Sequence, residues 1–367
     1  MRLLLLAIGV ALIAVVLWDG FETIILPRTV SRSLRLARLY LRATWTMWSS
    51  VGRQFSRESV RERFLAVYGP LSLLGLLLVW AAGLVVGFAI LHWAVGSRLA
   101  THDGLRPTFM DDLYMSGTTF FTLGLGDLYP TAGASRFLTV VEAGTGFGLL
   151  AVAIAYLPVL YQSFSRREVR LTLLDAWAGS PPAAAEILGR LAHAGEMSAL
   201  QPFLRDWEYW SSEVLESHIS YPSVAFFRSQ HQRQSWVAAL TAVLDVSALV
   251  MVGIEGVPTW QARVTYAIAR HAAVDLSQIL GARPATQEER LSPEDLVRLR
   301  AQLAAVGLRL DASSAADARL AEIRRSYEPY VGGLSRLLIA PLPRWMHEDP
   351  VRDNWETSPK RDGGAHL

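Results

Sequence analysis

The residues whose types and spacing could do chemistry lie in Thr118-Thr119-Phe120-Phe121-Thr122-Leu123-Gly124-Leu125-Gly126-Asp127, between two long apolar segments. Gly124 and Gly126 occupy alternate positions. Without a Cβ, each can adopt backbone angles that a side chain penalises, which successive carbonyls need if all are to face one side. The Thr122 hydroxyl begins this run and the Asp127 carboxylate ends it. A stretch so rich in oxygen could offer ligands to a cation. A glycine-rich turn before an acidic residue is the plainer reading of a motif this short, and the flanking sequence decides between the two.

Other chemistry is thinly supplied. The chain has no cysteine, which removes disulfides, thiolate metal sites and cysteine nucleophiles. His193, His218, His231 and His271 have neither H-x-x-x-H spacing nor a carboxylate cluster that would make a transition-metal site. His271 and Asp275, one helical turn apart, read as a surface contact. No nucleophile elbow and no phosphate-cradling loop is present in the sequence. An enzyme is therefore not expected, and no cofactor is implied.

Thr122-Leu123-Gly124-Leu125-Gly126-Asp127 resembles the T-x-G-Y/F/L-G-D signature of potassium channels, and the match continues through Leu128, Tyr129 and Pro130. The resemblance covers about residues 71–163. It implies four loops around one pore, whose carbonyl oxygens replace the hydration shell of a permeating potassium ion. The selectivity filter would then be Thr122, Leu123, Gly124, Leu125 and Gly126, with Asp127 capping the outer mouth. One signature per chain implies a homotetramer. Leu125 stands where a tyrosine is commonest and has no hydroxyl to brace the loop. A nonselective cation channel is accordingly the first alternative, and a non-conducting, membrane-anchored interaction or signalling protein is the second.

Such a re-entrant loop is tolerated at membrane depth only among protein or water-filled space, so flanking spans must position it. Thr108 to Phe121 suits a short pore helix, with Asp111 and Asp112 near its positive N-terminal end. Leu71 to Val95 forms one full span, the outer helix of the resemblance, and Phe137 to Leu160 forms the second, the inner helix. Gly96 to Pro107, with Arg98 and Arg106 as its only fixed cations, fits an extracellular loop. Glu142 is the one acidic residue within the second span and is a functional candidate by default. We expect it to brace the filter from behind, reaching the hydroxyl of Thr118 or Thr119. Gly144 and Gly148 make a close-packing pair. Gly146 sits at the depth of the hinge glycine in the channels it resembles, and Pro158 either kinks the same helix or marks the end of the span.

Hydrophobic residues make up 51% of the 367, which fits a membrane part joined to a soluble part. Leu3 to Leu17 is an apolar run closed by Trp18; without a small-x-small cleavage site it reads as a retained anchor, not a signal peptide. Arginine outnumbers acidic residues heavily from Arg28 to Arg63, which places this linker on the cytoplasmic side. Arg28, Arg32, Arg35, Arg38 and Arg42 share one helical face opposite Val30, Leu34, Ala37, Leu41, Trp45 and Trp48. That pattern suits an amphipathic helix against anionic lipid headgroups. A voltage sensor would need further spans, for which there is no room before residue 71.

From residue 164 the pattern turns soluble and helical, over Ala183–His193, Ala199–His218, Ser235–Val252, Trp260–Leu280, Pro293–Val306 and Ala315–Arg325. Ser180-Pro181-Pro182 and Ser292-Pro293 read as helix starts. Trp236 to Val252 is apolar but short and contains Asp245, so a buried core helix is expected there. Trp207, Tyr209 and Trp210 read as core or inter-subunit packing. No G-x-G-x-x-G follows a strand, so no dinucleotide-binding domain is expected.

The organisation is therefore an all-α membrane protein with an N-terminal transmembrane anchor at 1–18, a basic linker at 19–70 and a pore domain at 71–163. A cytoplasmic helical domain follows at 164–346, and a tail of low apolar content at 347–367 is expected to be disordered. Preference for Arg over Lys suggests a prokaryotic inner membrane, with the N-terminus outside and the helical domain in the cytoplasm.

Overall fold

The computed structural model describes residues 1–26, 36–96, 99–100, 107–229, 234–285 and 289–347. Arg28, Val30, Arg32, Leu34 and Arg35 of the expected basic helix, Arg98, Arg106, His231 and the tail from residue 348 lie outside them. In chain order the helices are α1 (Arg2–Ile24), α2 (Leu36–Gly52), α3 (Glu58–Val95), α4 (Phe109–Phe120) and α5 (Gly133–Ala178). They continue with α6 (Ala184–His193), α7 (Leu200–Ser220), α8 (Trp236–Gly253), α9 (Trp260–Leu280), α10 (Pro293–Ala305), α11 (Ser314–Arg325) and α12 (Glu328–Leu338). Strand is confined, among the described residues, to β1 (Leu99–Ala100) paired antiparallel with β2 (Tyr129–Pro130), and one isolated bridge. The chain is an all-α membrane protein, and it divides into two compact units, Met1–Ser56 with Val67–Gln162, and Arg57–Ala66 with Ser163–Leu367.

In the first unit, α1 continues past the expected end at Trp18. Asp19, only 4% exposed, is what permits this. Its Oδ2 accepts the Trp80 indole N–H at 2.8 Å and the Ala37 amide at 3.1 Å. The latter is one of the amides at the start of α2 that has no partner within its own helix. A buried carboxylate is thus satisfied by tying α1 to both α2 and α3. The same helices approach closely through small residues. A Cβ on Gly9 would lie 2.7 Å from Leu91, and one on Gly87 would lie 2.7 Å from Ile13.

The expected apolar face of the basic helix is present in α2, but α3 of the same chain covers much of it. Trp45 meets Tyr68 edge-on at 4.8 Å, the Tyr68 hydroxyl donates to Leu41 O, and the Tyr40 hydroxyl occupies the space a Cβ on Gly75 would need. The linker assigned to 19–70 also contains the first turns of α3, which runs for 38 residues through Pro70. Likewise α5 runs for 46 residues and does not stop at Pro158. A proline removes one backbone donor, and the rest of the helical ladder carries the chain onward.

In the second unit α8 is the centre. Its apolar stretch is 89% buried within the protein, so this helix is core and not a span. Asp245 is fully buried on it, held by Arg290 and by the Tyr327 hydroxyl. Arg290 also reaches Glu328 and the Pro343 carbonyl, and its guanidinium lies over the Trp345 ring. α9 packs on both α7 and α8, with α6, α11 and α12 around them. α12 escaped the sequence reading altogether. Ser292 caps α10 as expected, accepting the Asp295 amide at 3.1 Å. Ser180 does not start a helix: its hydroxyl donates to Asp175, and the N-cap of α6 is Ala183. Trp207 and Trp210 are buried, whereas Tyr209 is exposed.

The end of α5 is fastened in this unit by Arg167, whose side chain is 1% exposed. It pairs with Glu168 and donates to the carbonyls of Val224 and Phe227 and to His218 Nε2 at 3.2 Å. His218 Nδ1 lies 2.8 Å from the Val214 carbonyl. That carbonyl can only accept, so Nδ1 carries the proton and Nε2 offers its lone pair to the guanidinium. Burial, and then the Arg167 charge, lower the His218 pKa to about 3.

Candidate functional site

The loop Phe121 to Asp127 is positioned first by α4. Thr108 precedes the helix, and its amide and hydroxyl both donate to Asp111, a capping arrangement that fixes where the helix begins. At the other end, the carbonyls of the last turn have no helical donors, and the loop supplies them. Thr122 N–H donates to Thr119 O at 3.0 Å, Leu123 N–H to Thr118 O at 2.7 Å and Gly124 N–H to Thr118 O at 3.3 Å. A trans peptide holds its C=O opposite its N–H. With the amides of residues 122–124 turned back onto α4, the carbonyls of Phe121, Thr122 and Leu123 point away from it.

Backbone handedness alternates along the same loop. Thr122, Gly124 and Gly126 have φ of 58°, 53° and 78°, and among the described residues Leu123 and Leu125 are not in the positive-φ set. The two glycines were legible as positions needing this freedom. Thr122 was not, because a β-branched residue rarely enters the left-handed region; here its amide and that of Leu123 are both held by α4. Leu123 and Leu125 are 63% and 64% exposed, and a Cβ on Gly124 or Gly126 would meet nothing within 4 Å. The loop therefore presents an open face on the single chain.

Its outer end is also tied down. Asp127 accepts the Tyr114 hydroxyl at 2.9 Å and the Leu128 amide at 3.0 Å. Beyond it β2 pairs with β1, with Leu99 opposite Pro130 and Ala100 opposite Tyr129, and Arg136 Nε donates to the Pro130 carbonyl. Sequence reasoning missed Tyr114. It identified the lack of a hydroxyl at Leu125, but not that a tyrosine one turn into α4 would reach the carboxylate that ends the loop.

Glu142 is fully buried, but its partners differ from those expected. It contacts His92 Nε2 at 3.1 Å on α3 and the Ser116 hydroxyl on α4. The Thr118 hydroxyl instead donates to Met115 O in its own helix, so Thr118 and Thr119 support the loop through their carbonyls. His92 and Ser116 lie far from Glu142 in sequence, and no spacing rule joins them. Gly146 lies within the continuous α5, where a Cβ would sit 2.1 Å from the Phe120 carbonyl. A close approach to α4 accounts for this glycine, whereas Gly144 and Gly148 meet nothing within 4 Å. Among the described residues there is no cluster of side chains that could hold a metal. His271 and Asp275 form the expected surface pair at 3.3 Å.

Residues 75–162 match a protein family described as an ion channel. They run from α3 through the loop to the part of α5 that precedes its extension. A bacterial relative, "Uncharacterized membrane protein YdjJ" of Bacillus subtilis (strain 168), is 26% identical over 186 residues, which are 50% of this chain and 53% of that protein. The chain thus spans about half the length of that relative. No solved structure matches. Ion-channel families are not enzyme families, and pore-loop channels generally assemble as oligomers.

Proposed function

Taking residues 75–162 as a pore-loop ion-channel segment of a membrane protein, we propose that the chain forms a homotetrameric potassium channel. Thr122 to Gly126 lines its axis and Asp127 caps the outer mouth. The observation that carries this reading is the turning of the residue 122–124 amides onto α4, combined with positive φ at alternate positions. Together they leave the carbonyls of Phe121, Thr122 and Leu123 turned away from α4, which supports a row of oxygens along the loop. Ions shed water at these oxygens and advance by mutual repulsion. Four copies would cover the exposed loop and the exposed α5 residues Phe137, Val140, Phe147 and Leu150. The protein sits in a prokaryotic inner membrane with its N-terminus outside. Arg38, Arg42 and Arg53 face lipid phosphates, and the helical unit serves assembly or gating in the cytoplasm. Bending of α5 for gating falls at Pro158, where a backbone donor is missing, with Gly146 as its contact point on α4.

Purified protein in liposomes is expected to take up potassium well ahead of sodium, and Gly124→Ala to abolish that uptake while the tetramer persists. A Cβ in the left-handed region costs about 1–2 kcal/mol per residue, repeated around the ring. Unchanged uptake by Gly124→Ala would remove the filter assignment. Leu125 favours a second reading, a nonselective cation channel, which equal uptake of the two ions would establish. A protein that is neither tetrameric nor conducting would be the membrane-anchored interaction protein.

A further inference from the structure

The contacts of Glu142 contain a proton count. Ser116 Oγ is 2.8 Å from the Val85 carbonyl on α3 and also contacts Glu142 Oε1. A hydroxyl has one proton to give, and a carbonyl can only accept. The Ser116 proton therefore goes to Val85 O, and the contact between Ser116 and Glu142 takes its proton from Glu142. On the other carboxyl oxygen, His92 Nε2 donates at 3.1 Å. Among the described residues His92 Nδ1 is buried without a hydrogen-bond partner, so the ring proton is placed on Nε2, facing Glu142. His92, Ser116 and Glu142 are all 0% exposed.

The alternatives each leave a cost. An imidazolium beside a carboxylate would bury an unpaired Nδ1–H, and a carboxylate beside a neutral imidazole would bury a charge with no cation against it. The arrangement with a neutral acid satisfies every donor along the chain His92, Glu142, Ser116, Val85 O. Other ionisable groups on the elements packed around it include Asp112, one turn before Ser116 and buried; Asp111, exposed and bonded to Thr108; Tyr114, bonded to Asp127; Arg136 of α5, bonded to the Pro130 carbonyl; and Arg2 of α1, near Gly96 at the end of α3.

We infer that Glu142 is a protonated latch that joins the outer helix, the pore helix and the inner helix, and that Glu142 and Ser116 are positioning residues for the ion-binding loop. The inference deepens the channel reading and rests on it. Ser116 lies within one helical turn of Thr118 and Thr119, and those carbonyls hold the amides of residues 122–124. When the proton leaves, the Ser116 hydroxyl turns from Val85 O to the new carboxylate, a charge is left in a dry interior, and Ser116 loses its bond to α3.

The test is ion flux by the full chain in liposomes, from about pH 6 to about pH 9, for wild type, Glu142→Gln and Glu142→Ala, with melting temperature in detergent over the same range. Glutamine keeps the pattern, since its NH2 donates to Ser116 and its carbonyl accepts from His92, but it has no proton to lose. Wild-type flux is expected to fall several-fold as the pH rises. Glu142→Gln should match the acid-side wild type at every pH, and Glu142→Ala should be several-fold lower throughout. A flat wild-type profile, a Glu142→Gln profile that still follows pH, or a Glu142→Gln flux no better than that of Glu142→Ala would overturn the inference. If no protein conducts at any pH, the channel reading fails and melting decides the latch separately. A wild-type melting temperature that falls with pH while Glu142→Gln stays level supports it, and parallel slopes overturn it.

Discussion

Tyr114 and Asp127 show how a single hydroxyl can matter at the mouth of the loop. Their bond, 2.9 Å long, joins α4 to the end of the carbonyl row on a chain where Leu125 cannot provide such a brace. Tyr114→Phe is expected to leave assembly intact and to narrow the preference for potassium over sodium, read as the ratio of permeabilities. A ratio unchanged from wild type would show that the Leu128 amide alone positions Asp127. At this scale the sequence made Gly124, Gly126 and Glu142 visible, because glycine at alternate positions and a carboxyl within a span each have few explanations. It concealed the left-handed backbone of Thr122, which is imposed by hydrogen bonds to α4, and it concealed Tyr114, Ser116 and His92, whose relevance depends on tertiary contact alone.

Helices were legible where hydrophobicity dictates them and obscure at their ends. Leu71 to Val95 and Phe137 to Leu160 stand out as apolar runs, yet α3 begins at Glu58 and α5 ends at Ala178, because their polar turns carry on the hydrogen-bond ladder without a hydrophobic signature. The end of α1 was misplaced for the opposite reason: Asp19 looks like a boundary, and is instead a buried acceptor for Trp80 and Ala37. Packing between α1 and α3 depends on small residues, so Gly87→Val should destabilise the protein by about 1–3 kcal/mol, the usual cost of overpacking. Gly20→Ala, at a position with nothing within 4 Å, should cost far less. Melting in detergent compares them, and equal stability would show that α1 is free to move away from α3.

At the scale of the whole molecule, the helical unit has a titration of its own. His218 is held near pKa 3 by burial and Arg167, against about 6.5 for a free imidazole. Since the folded value is the lower one, the neutral ring is what folding favours. This contribution is complete above about pH 6.5 and is lost as the pH falls toward 3. The full chain is therefore expected to melt at lower temperature on acidification through that window, and His218→Gln, which can still accept from Arg167, should soften the decline. An identical decline in the variant would assign it to other groups. The organisation of this unit around an apolar helix containing Asp245 was readable from the sequence. No motif in this unit marks a ligand, and the shared axis proposed for the loops would leave no trace in the spacing of one copy. The central claim is that main-chain oxygens of Thr122 to Leu125 take the place of water around potassium. Its most direct test is the reversal potential of the wild-type protein in a bilayer with potassium on one side and sodium on the other. The account predicts reversal close to the potassium equilibrium value, and a current reversing at zero, or none at all, would contradict it.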